Sequence, residues 1–446
     1  MEVRAPGYGD TKAVVSWCLY DWANSAFNTL IITFVYVTYF TQTFTPTPEQ
    51  GVTLWGRAIA ISAILIALVS PIVGALADRS GRRRLYLLIS TWLCCALTAA
   101  LAFIPPGGEL SILAALTLVV LANVAFEIGI VFYNAYLPEL VPESRIGRIS
   151  GWAWGLGYIG GLACLGLALF GLVRPEVPWF GIPTEGGFNH RATTLLVAVW
   201  FFLFSLPMLL WVETPAARRH EDTVAGIRGA FIELKRTFRN IGRYRQIIRF
   251  LAARLVYNDG LVTIFTFGGA YAAGAFGMSL NEVIIFGIGL NVSAGLGALL
   301  FGVVDDRIGG KRTILITLVA LTLASLLAVV APDRTWLWIA GLSVGLFVGP
   351  NQSASRSLMG RFVPAHSRGE FFGFFAFSGK ATSFLGPLAM STATAAFGLR
   401  AGVSTVVVFF VIGGLILLSV DEAEGIAQAA LPEPDQGGES WRAIPE

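Results

Sequence analysis

The segment GALADRSGRRR at 74–84 returns as GVVDDRIGGKR at 302–312. Each copy closes a long apolar stretch and opens the next. The likeness continues: LPELVPESRIGRISG at 137–151 matches MGRFVPAHSRGEFFG at 359–373, after which Gly157 meets Gly379 and Tyr158 meets Lys380. Earlier in each half, Tyr20-Asp21-Trp22 faces Tyr257-Asn258-Asp259. Matches in the same order, about half a chain apart, predict two like-oriented halves related by a pseudo-two-fold axis along a membrane normal.

Composition places those halves in a bilayer. The chain is 55% hydrophobic and 13% charged, with a mean hydropathy of +0.70, too little charge to cover a water-soluble surface. A helical span needs roughly 20 mostly apolar residues. Twelve stretches qualify: 13–41, 54–77, 85–104, 111–136, 149–173, 192–212, 247–275, 281–304, 313–330, 336–358, 371–397 and 402–420. The first is too long for a signal peptide and carries Asp21, so it is read as a retained span. The predicted fold is an all-α membrane protein with twelve transmembrane helices in two pseudo-symmetric six-helix bundles, 1–212 and 247–420. A linker, 213–246, carries Ile227, Phe231, Leu234 and Phe238 at helical spacing, which predicts an amphipathic helix on the inner leaflet. The acidic, Pro- and Gly-bearing tail, 421–446, is expected to be disordered.

Basic residues concentrate in alternate loops: after the second, fourth, sixth, eighth and tenth stretches. This alternation marks the cytoplasmic side and puts both termini there. It favours a membrane topology over nucleic-acid binding. The four cysteines, Cys18, Cys94, Cys95 and Cys164, fall inside spans without metal-ligand spacing, and none of the three histidines lies mid-span. No metal or other cofactor is therefore expected. A GxxxxGK[ST] phosphate loop is missing, and GYIGGLACLG lies within a span, so neither a nucleotide-driven pump nor an enzyme is expected.

Each repeated loop has a physical purpose. Gly74 and Gly302 permit close helix contact, Asp78 and Asp306 sit at helix ends beside arginines, and Gly81 and Gly309 allow tight turns. Asp78, Arg79 and Arg82, with Asp306, Arg307 and Lys311, form the predicted gating set. Both loops resemble the signature loop of the major facilitator superfamily. YDWANSAF at 20–27, FYNAYLPEL at 132–140, GPNQSASRSLMGRFVP at 349–364 and FFGFFAFSGKATSFLGP at 371–387 resemble its vacuole-effluxer-like branch, whose fungal members export amino acids from the vacuole. The resemblance implies a monomeric carrier in a bacterial inner membrane, working by alternating access. In that superfamily spans one, four, seven and ten line the central cavity.

The buried polar residues fall on those spans. An ionisable group in hydrocarbon costs about 2.5–3.5 kcal/mol on insertion scales, so each needs a reason. Asp21, Asn24, Ser25 and Asn28 form one stripe of the first span. Asn123, Glu127 and Asn134 form a second; Arg254, Tyr257 and Asn258, with Asp259 to one side, a third; Gln352, Ser355 and Arg356 a fourth; the eleventh span adds Lys380 and Ser383. The candidate solute-binding set is Asp21, Asn24, Asn28, Glu127, Asn134, Arg254, Tyr257, Asn258, Gln352, Arg356 and Lys380. Asp21, Glu127 and Asp259 are the candidates for coupling to H⁺. Three acids against three bases favour structural pairing that holds the inner gate shut, for Arg356 above all. The solute expected is an amino acid or another carboxylate-bearing metabolite, exported. Two alternatives stay open: a lipid or amphiphile carrier, since the spans are rich in Phe, and a non-transporting receptor on the same scaffold.

Overall fold

The computed structural model describes residues 10–213, 226–239 and 241–431. Among them are only helices, turns and bends. The first six spans are α1 (Thr11–Ala26, prolonged by a π-helical stretch Phe27–Phe34 and by Tyr36–Thr43), α2 (Pro48–Ser80), α3 (Arg83–Ala100), α4 (Gly108–Leu140), α5 (Ile146–Ala168) and α6 (Phe188–Trp211). The second six are α7 (Arg245–Phe276), α8 (Leu280–Ile308), α9 (Gly310–Val330), α10 (Arg334–Phe362), α11 (Arg368–Lys380, resuming as Leu385–Phe397) and α12 (Leu399–Leu418). Nine of the described helices are long and apolar enough by themselves to cross a membrane. The remaining three spans are α1, α10 and α11, each carrying a polar stripe or a break.

Local chemistry sets the helix ends. Thr47 caps α2 by accepting the Gln50 N–H, Pro48 occupies its first turn, and Gly81 ends it at φ 63°. Ser279 and Glu282 form a reciprocal capping box at the start of α8. Two expected spans are not continuous. In α1 the ladder widens, with Val35 N–H donating to the Leu30 carbonyl. In α11 the helix stops at Lys380 and resumes at Leu385. Pro387 has no N–H to offer the Ser383 carbonyl, which accounts for the weakness of the ladder there.

The packing repeats between halves. Within the first bundle α1 packs on α5 and α6, α3 on α4 and α6, and α2 on α4; within the second, α7 packs on α11 and α12, α9 on α10 and α12, and α8 on α10. The bundles meet where α2 lies on the first segment of α11 and α5 lies on α8. Glycine permits this approach: a Cβ on Gly74 would lie 2.1 Å from the Gly369 carbonyl oxygen, and one on Gly151 2.4 Å from that of Ala298.

The linker contributes a helix, Gly226–Arg239. Ala230 and Leu234 bury against Ala75 of α2, with Phe374 of α11 at the edge of the cluster. The expected stripe is thus docked on protein through Leu234; the side chains of Ile227, Phe231 and Phe238 are not among those described. The described start of the tail, 421–431, is ordered where disorder was expected. Asp421 caps a helix, Glu422–Ala429, by accepting the Glu424 N–H. Glu422 then accepts the Gly310 and Lys311 N–H groups at 2.8 and 3.0 Å, capping α9. Residues 432–446, the rest of the segment expected to be disordered, lie outside the described residues.

Candidate functional site

The site begins at the end of the molecule that carries the repeated loops. Asp78 accepts the N–H groups of Gly369 and Glu370, at 2.9 and 2.8 Å, in the first turn of α11. Asp306 accepts those of Gly147 and Arg148, at 2.9 and 3.2 Å, in the first turn of α5. Each carboxylate therefore caps a helix of the opposite bundle, where orphan N–H groups and the helix dipole favour an anion.

Bases surround both carboxylates. Arg83 bridges Asp78 at 2.9 Å and Glu139 at 2.6 Å, and Arg368 reaches Glu139 from the other bundle at 2.9 Å. In the second half Arg361 pairs with Asp305 at 2.7 Å, and Ser357 donates its hydroxyl to the same carboxylate. Arg148 lies 3.5 Å from Asp306. The other predicted gating residues stand apart from this network. The Arg79 guanidinium lies against Gly229 of the linker helix, Arg82 and Arg307 are exposed, and Lys311 donates to the Leu418 carbonyl.

Deeper in the seam, Arg356 of α10 inserts into the first bundle. It donates to Asp21 of α1 at 2.8 Å, and to the Ser150 hydroxyl and carbonyl of α5 at 2.9 and 2.8 Å. Trp17, Tyr133 and Trp154 stand around the guanidinium at 4.8, 5.7 and 5.6 Å. Planar charge against ring faces is a favourable arrangement. Asn24 donates to the other Asp21 oxygen at 3.1 Å. Asn28, on the same stripe but in the π-helical stretch, is exposed, and Asn134 is buried.

Further along, roughly 18 Å up α11 at 1.5 Å per residue, Lys380 meets Glu127 of α4 at 2.7 Å. This pair also joins the two bundles, and Lys380 keeps 30% of its side-chain surface exposed. Tyr158 of α5 donates to Gln352 of α10 at 2.9 Å, a further cross-bundle contact.

The stripe on α7 is spent inside its own bundle. Arg254 donates to the Phe375 carbonyl and Ser378 hydroxyl at 2.7 and 2.8 Å and lies over the Phe375 ring at 3.7 Å. Asn258 donates to the Gly379 carbonyl at 3.0 Å. Both thus satisfy carbonyls near the end of the first α11 segment. Tyr257 is buried on Ser355 at 2.8 Å. Asp259 accepts from Thr382 at 3.2 Å through one carboxylate oxygen.

The structure therefore brings Asp21, Asn24 and Arg356 into one cluster and Glu127 and Lys380 into another, and gives Arg254, Tyr257, Asn258 and Asp259 hydrogen-bond partners within the second bundle. Sequence reasoning missed Ser150, Glu139, Asp305, Arg361 and Arg368 as participants. One signal existed: the aligned repeats place Glu139 opposite Arg361, a polar position of reversed sign in each half.

Comparison with known proteins agrees with this architecture. The family model described as "Vacuole effluxer Atg22 like" matches residues 53–430. The MFS-type transporter YxiO of Bacillus subtilis is 30% identical over 92% of this chain and 95% of its own length. Autophagy-related protein 22-1 of Neosartorya fischeri is 23% identical over 67% of this chain, and the chain spans about half (52%) of that fungal relative. Among solved structures, the fold is similar to the transporter FucP in its outward conformation, with a TM-score of 0.71 at 16% identity over 93% of this chain and 100% of that one. It is also similar to the proton:xylose symporter XylE, with a TM-score of 0.68 at 13% identity over 93% and 95%. The chain belongs to the Vacuole effluxer Atg22 like family, as a transporter of the major facilitator superfamily and not an enzyme.

Proposed function

We propose that the protein exports a small zwitterionic solute of the amino-acid class by alternating access. The observation that carries this reading is the Glu127–Lys380 pair. It is 2.7 Å long, joins the bundles midway along their helices, and leaves Lys380 30% exposed. A zwitterion can take over both partners at once, its ammonium on Glu127 and its carboxylate on Lys380. The buried charges stay compensated as the bundles part, which avoids the penalty of an unpaired ion in a dry interior. Tyr158 and Gln352 flank the same seam and offer neutral hydrogen bonds.

In this reading, 1–212 and 247–420 are the rocking bodies, and 213–246 is their cytoplasmic connection. The Asp78 and Asp306 contacts hold the cytoplasmic end shut, and the Asp21–Arg356–Ser150 cluster seals the floor of the solute chamber. The basic loops support a cytoplasmic position for that end, in a bacterial inner membrane. The fungal relatives, vacuole effluxers by family description, support small-solute export.

Flux into proteoliposomes tests the proposal. Radiolabelled amino acids should be taken up into inverted vesicles and chased by the same unlabelled compound. The corresponding amino-acid amides, which keep the ammonium and lose the carboxylate, should compete at least tenfold more weakly. Equal competition by the amide removes Lys380 from solute recognition. Uptake of lipid in place of amino acids overturns the substrate class.

A further inference from the structure

The interruption of α11 lies against the most isolated carboxylate of the membrane core. Asp259 is only 2% exposed. Its Oδ1 accepts the Thr382 hydroxyl at 3.2 Å, while its Oδ2 is buried with no hydrogen-bond partner among the described residues. The other two intramembrane carboxyls of the central stripes are each held by a base, Asp21 by Arg356 and Glu127 by Lys380. Asp259 has no salt-bridge partner among the described residues, although Arg254 lies on the same helix. That guanidinium is taken up by Phe375 and Ser378.

The surroundings are rich in oxygen. Thr382 sits inside the break and also reaches the Leu255 carbonyl at 3.2 Å. Thr263 donates to the Asp259 carbonyl at 2.7 Å. The second α11 segment is pressed onto this point: a Cβ on Gly386 would lie 2.2 Å from the Thr263 hydroxyl and 2.6 Å from the Asp259 carbonyl oxygen. Pro387 withholds its N–H from the Ser383 carbonyl. The Asp259 carboxylate, the Thr382 and Thr263 hydroxyls and the Leu255 and Asp259 carbonyls of α7 gather oxygen beside the interruption of α11, the ligand chemistry of a hard monovalent cation.

We propose that Asp259 and the 381–384 break of α11 form a Na⁺ site, separate from the solute position at Glu127–Lys380. A cation at Oδ2 would neutralise the buried carboxylate and engage the orphan oxygen together with the neighbouring hydroxyl and carbonyl oxygens; a proton is the competing occupant, and thermal unfolding separates the two. The site lies at the point where α11 changes allegiance: its first segment packs on α2 of the other bundle and its second on α12 of its own. Binding there would couple an ion to movement of one segment against the other. The coupling role rests on the carrier reading above; the binding site does not.

The test is thermal unfolding of the purified full chain in detergent, with NaCl titrated against choline chloride at constant ionic strength and no solute present. Na⁺ should raise the transition by about 3 °C at saturation. Asp259→Asn should abolish the rise, Thr382→Val should weaken apparent Na⁺ affinity at least tenfold, and Glu127→Gln should leave the rise intact. Thr382→Ser guards against misfolding, because it keeps the hydroxyl and should keep the rise. No Na⁺-specific rise in the folded native chain overturns the site. So does a pH dependence of stability removed by Asp259→Asn without any Na⁺ dependence, which would make the ligand a proton. Loss of amino-acid flux with the Na⁺ rise retained would count against the transport reading alone.

Discussion

Asp78 and Asp306 occupy equivalent places in the two halves, and each spends its carboxylate on two backbone N–H groups in the first turn of a helix of the other half. The arrangement is reciprocal: α2 holds α11, and α8 holds α5. Because both contacts cross the seam, they form or break together with closure of this end. A hydrogen bond to a charged group contributes about 1.5–3 kcal/mol, so the two carboxylates are able to set the conformational balance.

Asp78→Asn and Asp306→Asn should each shift the population toward opening at the repeated-loop end. The expected effect is at least a tenfold faster reaction of a cysteine introduced along the central seam with an impermeant thiol reagent applied from that side. Solute affinity measured by binding should change less than threefold. A large change in affinity with unaltered accessibility would move these residues from gating to binding.

Closure also depends on helix contact. A methyl group on Gly74 would meet the Gly369 carbonyl oxygen at 2.1 Å, whereas one on Gly166 would have nothing within 4 Å. Gly74→Ala should therefore push α2 away from α11 and destabilise the closed arrangement by about 1–3 kcal/mol. The same accessibility assay should report opening. Gly166→Ala, equally within a span, should behave as the parent protein.

Much of this organisation was legible in the sequence. The duplicated loops marked the halves, their parallel order and the two carboxylates that cap helices across the seam. The stripes on the first and fourth spans pointed Asp21 and Glu127 inward, because polar residues three and four apart share a helix face. The choice of partner was not legible, since periodicity says which face a residue lies on and nothing about the helix opposite. Arg254 and Asn258 illustrate the loss. Their stripe was visible, but their partners, carbonyls near the end of the first α11 segment, were not. The start of the tail, 421–431, departs from expectation for a similar reason. Its acidity suggested disorder, whereas Asp421 is a helix cap and Glu422 a cap for α9. A cap provided by a distant segment leaves no mark next to the helix it serves.

Arg361 and Asp305 should be the costliest pair to separate. Both are buried, with side chains 5% and 2% exposed at 2.7 Å. Removing one partner strands the other charge, a loss of about 3–5 kcal/mol. Arg361→Gln should lower the thermal transition markedly, and adding Asp305→Asn should restore most of it. Additive losses in the double variant would show that the two side chains act independently.

The Glu127–Lys380 pair separates a structural role from a recognition role by exchange of charges. Glu127→Lys with Lys380→Glu rebuilds an ion pair at the same seam, so folding and thermal stability should stay near those of the parent. Each single substitution, by contrast, should place like charges together and destabilise the closed arrangement. If the pair only held the bundles, the exchanged protein would transport normally. If a zwitterion replaces the pair, its carboxylate must find a base on α11 while the rest of the molecule is held by contacts that were not exchanged, Tyr158 and Gln352 among them. The exchanged protein should then fold and lose at least tenfold in uptake of amino acids. Full uptake by a folded exchanged protein would assign Glu127 and Lys380 to architecture and move solute recognition elsewhere along the seam.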